Sequence, residues 1–577
     1  MAAELKYKLE MPEPHTHYFE VSATLEGARK KYIDFTMPVW APGSYLVREF
    51  AKNVEGFNAT DGAGKALRSE KIDKNTWRVY SNRASEVTVN YKVYAYELSV
   101  RTSYLDATHG YVNGTSMFMY PEGYEKQAGT LTVVPHKSFG KVATGLKQVS
   151  KFTYTFPNYD VLADSPLEIG NHEVYTFEVN GVPHEVAMYG DGNYEPERLM
   201  KDMKRVVEES VAIMGELPID RYVFIVHNLQ RGGGGLEHLN STTLQTSRFN
   251  YGTESGYTGF LSLVAHEYFH LWNVKRLRPA PLGPFNYNEE NYTRLLWVSE
   301  GITSYYDDLI VRRAGLMPEQ RYLDVVAGSI SNVENTPGNK VQSVSESSFD
   351  AWIKYYRQNE NSNNAEVSYY TKGGVLGQLL NMEIMKSTNG AKSLDDVMRS
   401  MYNRYYKQLD RGFTEKEFQA AIEQAAGHSM DAFFRDYVHG TSTPDYNKYF
   451  NAAGLRLVNL NEQNVSGSWG ATTSFNDGRL TITGVTRGSS AYEAGLNVKD
   501  EVIAINGYRV GNDIDRYVGG VQPGDELEVL ISRDGILQIV PVKVLKDTRV
   551  RYKFEKIEKP TSAQLEIYNK WLGIKGA

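Results

Sequence analysis

The chain has 577 residues, 63 Lys and Arg against 70 Asp and Glu, and a formal charge of −7. That length exceeds a single core, so about three or four domains are expected. The mild acidity gives no electrostatic footprint for nucleic acid or an anionic membrane surface. No apolar run approaches the ~18 residues of a membrane span. Cysteine is absent, which excludes disulfides and leaves any metal to His, Asp or Glu.

The opening "MAAELKYKLE" has no basic region followed by an apolar core, so the expectation is a cytoplasmic protein or an exported one whose signal has been removed. Residues 1–170 then read as β. "HYFEVSATLEG" and "EVTVNYKVYAYEL" alternate or cluster β-formers, and "WAPGS" and "TDGAG" punctuate them as turns. A β-sandwich-like domain is the reading.

From 171 the texture changes. "YTFEVNGVPHEVAMYG" predicts paired strands, "EPERLMKDMKRVVEESVAIMGEL" an amphipathic helix, and "RYVFIVHNL" a buried strand followed by "RGGGGLEHLNSTTL". Helical patterns follow over 258–277, 289–314, 371–388, 394–407 and 414–427. Residues 171–457 are therefore expected to form an α+β domain. Beyond "AAGLRLVNL" the chain returns to β, with Asn506-Gly507 and Pro523-Gly524 marking tight turns. That is a compact module over 458–550, ahead of a polar, partly helical tail over 551–577.

The stretch that carries chemistry is "VAHEYFHLWNV", residues 264–274. On a helix His266 and His270 fall one turn apart, so both imidazoles reach one ion. Glu267 lies one step round, where a base for a water at the metal belongs. A second His-Glu pair, His184-Glu185, has Met188 where the second histidine would stand and reads as plain strand. Catalytic zinc takes three protein ligands and keeps one position open. Glu300, the one carboxylate in the apolar start of "LLWVSEGITSYYDDLIVRRAG", is the candidate third ligand, because a carboxylate on such a surface is costly unless paired or metal-bound. Asn273 and Ser304 are candidates to hold the ligands from behind.

With these residues on the page, the chain resembles the glycyl aminopeptidase family of gluzincin metallopeptidases. The matching text is "HEYFHLWNVKRLRP", "WVSEGITSYY", "FFRDYVHGTSTPDYNKYFNAAGL" and "MPVWAPGSYLVREFAKNVEGF". The resemblance implies a β-rich N-terminal domain, a thermolysin-like catalytic domain and a C-terminal PDZ domain. "GGGGLEH" is similar to the Gly-x-Met-Glu-Asn exopeptidase element, which implies that Glu237 binds the substrate's free amine, with Gly234 and Gly235 letting a peptide approach the backbone. Here Leu236 and His238 replace the usual Met and Asn. "YYTKGG" resembles a Tyr-x-Lys-Gly element, which implies Tyr370 as the donor to the oxyanion.

"GSSAYEAGLNVKDEVIAINGYRV" looks like the middle of a PDZ domain, which implies a groove for a peptide C-terminus or an extended segment. Its loop "SWGATTSFNDG" departs from the family's Gly-Leu-Gly-Phe pattern.

The expectation is a multidomain α+β zinc aminopeptidase with one Zn²⁺ per chain on His266, His270 and Glu300. Glu267 and Tyr370 are expected to be catalytic, and the substrate a peptide with a free N-terminus and a small first residue such as Gly or Ala. Two alternatives stand beside it: an endopeptidase on the same metal, and a non-catalytic peptide-binding scaffold.

Overall fold

Alternation builds the first part of the chain. In the computed structural model, which describes residues 4–574, strand Glu4–Glu10 turns Leu5, Tyr7 and Leu9 inward. Tyr18–Glu26 and Glu86–Tyr94 repeat the pattern, burying Phe19, Val21, Ala23 and Leu25 and then Val87, Val89, Tyr91 and Val93. A period of two sets one face on a core and the other in water, as antiparallel sheets allow. These strands share an eight-stranded sheet, and two four-stranded sheets accompany it. One apolar cluster, from Leu5 through Phe35 to Ile169, runs through all of them.

The chain divides into two compact units. The first takes Met1–Thr293, Tyr306–Met317 and Met398–Thr414, and the second Arg294–Tyr305, Pro318–Val397 and Glu415–Ala577.

In the first unit a five-stranded sheet follows the N-terminal β region. Its strands are β1 (Glu173–Val179), β2 (Val182–Tyr189), β3 (Tyr222–Leu229), β4 (Gly235–Glu237) and β5 (Ser241–Ser247), in the order β1-β2-β3-β5-β4. The β1–β2 turn is Asn180-Gly181, both at positive φ, the pairing a tight hairpin favours. β2, β3 and β5 run parallel. β3 is buried on both faces, as a central parallel strand must be. β4 lies antiparallel on β5 at the sheet's edge. Helix α1 (Pro196–Met214) buries Leu199, Met203, Val206, Val207 and Val211 at helical spacing. Helix α2 (Glu254–Phe269) opens on Thr253, whose side chain accepts from the Gly256 N–H.

α2 ends at Phe269 rather than at 277, where the apolar pattern carries it. Beyond it the chain folds in short turns, with Leu271 N–H reaching back to Tyr268 O and Trp272 N–H to Phe269 O. The pattern predicted from 289 onward becomes helical at Trp297, as a π-turn over Trp297–Gly301 that continues into α3 (Ile302–Arg313).

In the second unit, α4 (Tyr369–Ser387) opens on Ser368, whose side chain accepts from the Thr371 N–H. Residues 471–543 form a further sheet in the strand order 471–476, 479–485, 501–505, 526–533, 536–543, and Tyr508–Arg509 pairs with the third of these. Its turn at Asn506-Gly507 has both residues at positive φ, as the dipeptide predicts. The last segment is packed in place. Tyr552–Lys556 pairs with Leu455–Asn459, and helix Ser562–Leu572 buries Trp571 against Tyr322 at 5.6 Å between ring centroids.

One buried carboxylate ties the N-terminal β region to the five-stranded sheet. Glu168, fully buried, accepts from His109 Nδ1 at 2.8 Å and from His227 Nε2, on β3, at 2.9 Å. Burial alone would raise its pKa, but the charge of His109 and the two histidine bonds outweigh it and hold the group at about 2. Folding lowers this pKa from its ordinary 4.5. The stabilisation is therefore complete above about 4.5 and disappears as the pH falls through about 2. Glu168→Gln is expected to cost on the order of 3 kcal/mol at pH 7. In urea unfolding the gap to wild type should close steadily below pH ~4.5. A gap that stays constant down to pH ~2.5 would contradict the assignment.

Candidate active site

The site begins where α2 ends. His270 is the first residue past the helix but keeps helical angles, φ −60° and ψ −16°, so it stays one turn from His266. The two rings lie 4.8 Å apart, centroid to centroid, at 81°. His270 Nδ1 is 2.6 Å from the carbonyl oxygen of Asn273. A carbonyl only accepts, so Nδ1 carries the hydrogen and Nε2 is left with its lone pair. His266 Nδ1 is 3.2 Å from Asp307 Oδ2 on α3, which fixes the same tautomer. Both imidazoles are thus set as metal ligands through Nε2. Asn273, a candidate to hold a ligand from behind, is buried, but its main chain does the holding. Asp307 is a partner the sequence reading missed. Burial pushes its carboxyl up, and the His266 bond opposes that.

The acid between the histidines faces the edge strand. Ligand atoms of Glu237, Glu267 and His270 lie within 4.8 Å of one another, all three residues buried. A Cβ at Gly235 would stand 2.3 Å from Glu267 Oε1 and 2.4 Å from its Cδ, so only glycine lets β4 lie against that carboxylate. Gly234 precedes it at φ +91°, a conformation glycine takes without strain. Glu237 is 3% exposed, and its Oε1 is buried with no hydrogen-bond partner. Gly43 closes over it from the N-terminal β region. A Cβ there would be 2.5 Å from Glu237 Oε1 and 2.7 Å from Oε2.

The residues that depart from the exopeptidase pattern have local work. Leu236 is core, 1% exposed. His238 Nδ1 bonds Asp164 Oδ1 at 2.9 Å, the Leu239 N–H reaches Asp164 Oδ2 at 2.9 Å, and Lys275 Nζ reaches Asp164 Oδ1 at 2.9 Å. Burial would raise the Asp164 pKa, but Lys275 and His238 turn the shift downward. The three donors pin the chain just past Glu237.

Within the second unit, Glu300 sits in the π-turn Trp297–Gly301 and is 2% exposed. Such one-turn widenings recur at functional positions. The turn meets α4 backbone to backbone: a Cβ on Gly301 would be 2.5 Å from Gly373 Cα and 2.7 Å from Tyr369 O. That crossing sets Glu300 beside the first turn of α4. Tyr370 is half-buried, and its phenol pKa is raised well above the ordinary value by burial first and the Glu300 charge second. Its neighbour Tyr369 is wholly buried and belongs to the core.

Ordinary packing does not require imidazoles set to surrender lone pairs, or a buried carboxylate oxygen left bare beside an edge strand. Both suit hydrolysis of a peptide at a metal, and the enzyme is a metallopeptidase. Known proteins narrow that class. Residues 6–171 match the peptidase M61 N-terminal domain, and residues 259–376 match the M61 glycyl aminopeptidase. A protein of Idiomarina loihiensis with a crystal structure, described as an aminopeptidase N family protein, is 30% identical, over 98% of this chain and 100% of its own, with a TM-score of 0.91. The chain belongs to that aminopeptidase family and carries the domains of its M61 peptidases. An M1 zinc metallopeptidase of Deinococcus radiodurans, bound to Tyr-Ser-Ala, is 17% identical over 76% of this chain and 94% of its own, at a TM-score of 0.48. That likeness is too distant to bear on this site. No curated protein matches the chain.

Asp307→Ala should weaken metal binding about 10–100-fold, read by competition with a chromophoric chelator. Unchanged affinity would mean that Asp307 does not orient His266.

Proposed function

We propose that the chain is a zinc-dependent aminopeptidase, with His266, His270 and Glu300 holding one Zn²⁺. The carrying observation is the buried, unpartnered oxygen of Glu237 next to the acid of the HExxH turn. A buried anion without a partner costs free energy, and a protonated α-amine is the group that relieves it. In support of the metal, His266 and His270 stand one turn apart with their ring centroids 4.8 Å from each other, each held through Nδ1. A His/His/Glu donor set suits zinc.

A zinc ion held by these residues would polarise a peptide carbonyl and lower the pKa of a water to about 7. Glu267 takes the proton from the attacking water and returns it to the leaving amine, a role worth about 10²–10⁴ in rate. Tyr370, kept protonated by its raised pKa, donates to the carbonyl oxygen as that oxygen gains charge. β4, at the sheet's edge, offers its main chain to an extended peptide. Glu237 holds the α-amine and so presents the first peptide bond to the centre. The glycyl aminopeptidase match supports Gly or Ala as accepted first residues.

The endopeptidase reading has less support, because it gives the buried, unpartnered oxygen of Glu237 no role. We read the sheet over 471–543, with its short helices Ser490–Glu493 and Asp515–Val518, as a PDZ-like module. The domain division is then 1–170, 171–457, 458–550 and a packed C-terminal segment.

Glu267→Gln should keep one zinc per chain by elemental analysis and lose about 10²–10⁴ in kcat. Near wild-type turnover would remove Glu267 as the base. Glu237→Ala should lower kcat/KM for Ala-arylamide at least about 10-fold and leave any N-acetyl-Ala-arylamide hydrolysis where it was. Equal losses on both substrates would point to an endopeptidase.

A further inference from the structure

A cavity of about 280 Å³ opens on the Glu237 side chain. Its walls come from the Gly43 turn, the short helix Tyr159–Ala163 with Asp164 just past its end, and the segment from Val274 to Phe285. It has room well beyond a methyl group, so a first residue of Gly or Ala leaves it mostly empty.

Its charged groups divide into matched and unmatched. Asp164 is saturated by His238, Leu239 N–H and Lys275. Lys275 is thereby paired as well. Asp160 accepts from the Tyr287 hydroxyl at 2.7 Å, and burial raises its carboxyl. Two groups remain. One is Glu237, whose buried oxygen has no partner. The other is Arg278. It is half-buried and lines the cavity, its charge is felt by Asp160, and among the described residues its guanidinium makes no hydrogen bond or ion pair. That guanidinium lies flat on main chain: a Cβ at Gly283 would be 2.2 Å from Arg278 Cζ and 2.5 Å from Nη1. Glycine at 283 therefore fixes the position of the fork.

We propose that this cavity receives the first side chain of the substrate, and that Arg278 selects, among side chains larger than a methyl group, those ending in a hydrogen-bond acceptor oxygen. The proposal rests on the aminopeptidase reading. With the α-amine on Glu237, a side chain entering the cavity meets Arg278 as the group with unused donors. An amide or carboxylate oxygen fills them, because a guanidinium presents donors and no acceptor. An aliphatic side chain of equal size leaves them unsatisfied, and a lysine side chain brings a third cation beside Lys275 and Arg278. Asp160 nearby tempers the preference for a full negative charge, so Gln and Glu are expected to be close to each other.

The test compares kcat/KM for the Ala-, Leu-, Gln-, Glu- and Lys-arylamides and for N-acetyl-Gln-arylamide on the zinc-loaded full chain. Gln and Glu should exceed Leu by about 10-fold and Lys should be the poorest, since hydrogen bonds to charged groups are the strong ones. In Arg278→Met the Gln/Leu and Glu/Leu ratios should fall to about one. Gly283→Ala, which displaces the guanidinium without removing its charge, should lower the same ratios. Equal rates for Gln and Leu in the wild type overturn the proposal and leave the aminopeptidase reading standing. So does an Arg278→Met variant that loses activity on all side chains in proportion. If N-acetyl-Gln-arylamide is cleaved as well as the free-amine form, the aminopeptidase reading falls and this inference falls with it.

Discussion

The carbonyl of Asn273 decides which nitrogen of His270 can meet a metal. For that carbonyl to turn back, the helix must end at Phe269 and the chain must fold at once into tight turns. The same turn then sends three side chains outward in order. Lys275 goes to Asp164, behind Glu237. Buried Arg276 spreads over the carbonyls of Leu239 and Leu271, closing polar groups that a loop would otherwise leave open. Arg278 goes to the cavity beside Glu237. One short irregular segment therefore fixes the tautomer of His270, braces the strand that carries Glu237 and furnishes a wall of the cavity beside it. A continued helix would have kept the histidine spacing and lost all three.

Close backbone approach is the second constraint. Gly235 lets the edge strand touch Glu267, Gly43 lets an N-terminal turn cover Glu237, and Gly301 lets the π-turn bearing Glu300 cross α4 at Gly373. In each case an added Cβ would fall under 3 Å from atoms of the site or its support. Catalytic groups must be held to a fraction of an ångström, and main chain in contact with main chain is stiffer than any side-chain spacer. The glycines here serve contact more than flexibility, although Gly43 and Gly234 also need positive φ.

This explains which parts were legible in the sequence. His266, Glu267 and His270 show themselves because the helix period converts spacing into geometry, and Glu300 because a lone carboxylate among apolar residues asks for a partner. The alternation of Glu4–Glu10 and Tyr18–Glu26 likewise gives strands directly. Asp307 was hidden by Asp308 beside it: two acids near the polar side of a helix look like solvated surface. Asn273 was found for the wrong atom, since sequence patterns advertise side chains and not carbonyls. The end of α2 was invisible because Leu271, Trp272 and Val274 continue the apolar run while abandoning the helix. Glu168, His109 and His227 lie too far apart along the chain for any local period to join them.

The half-buried Asp164 and the buried Glu237 are handled in opposite ways, and the contrast carries the functional argument. Asp164 is given three donors, so its burial is offset and its charge is a brace. Glu237, a few ångströms of chain away past His238, keeps an oxygen with none, a deficit of about 1–3 kcal/mol. The Arg278 guanidinium lines the same cavity and, among the described residues, makes no hydrogen bond or ion pair. Leaving Glu237 and Arg278 both unmatched across one cavity is then a division of labour. On the proposed reading, the protein satisfies the groups that hold shape and leaves open the two that a substrate's amine and side chain would complete.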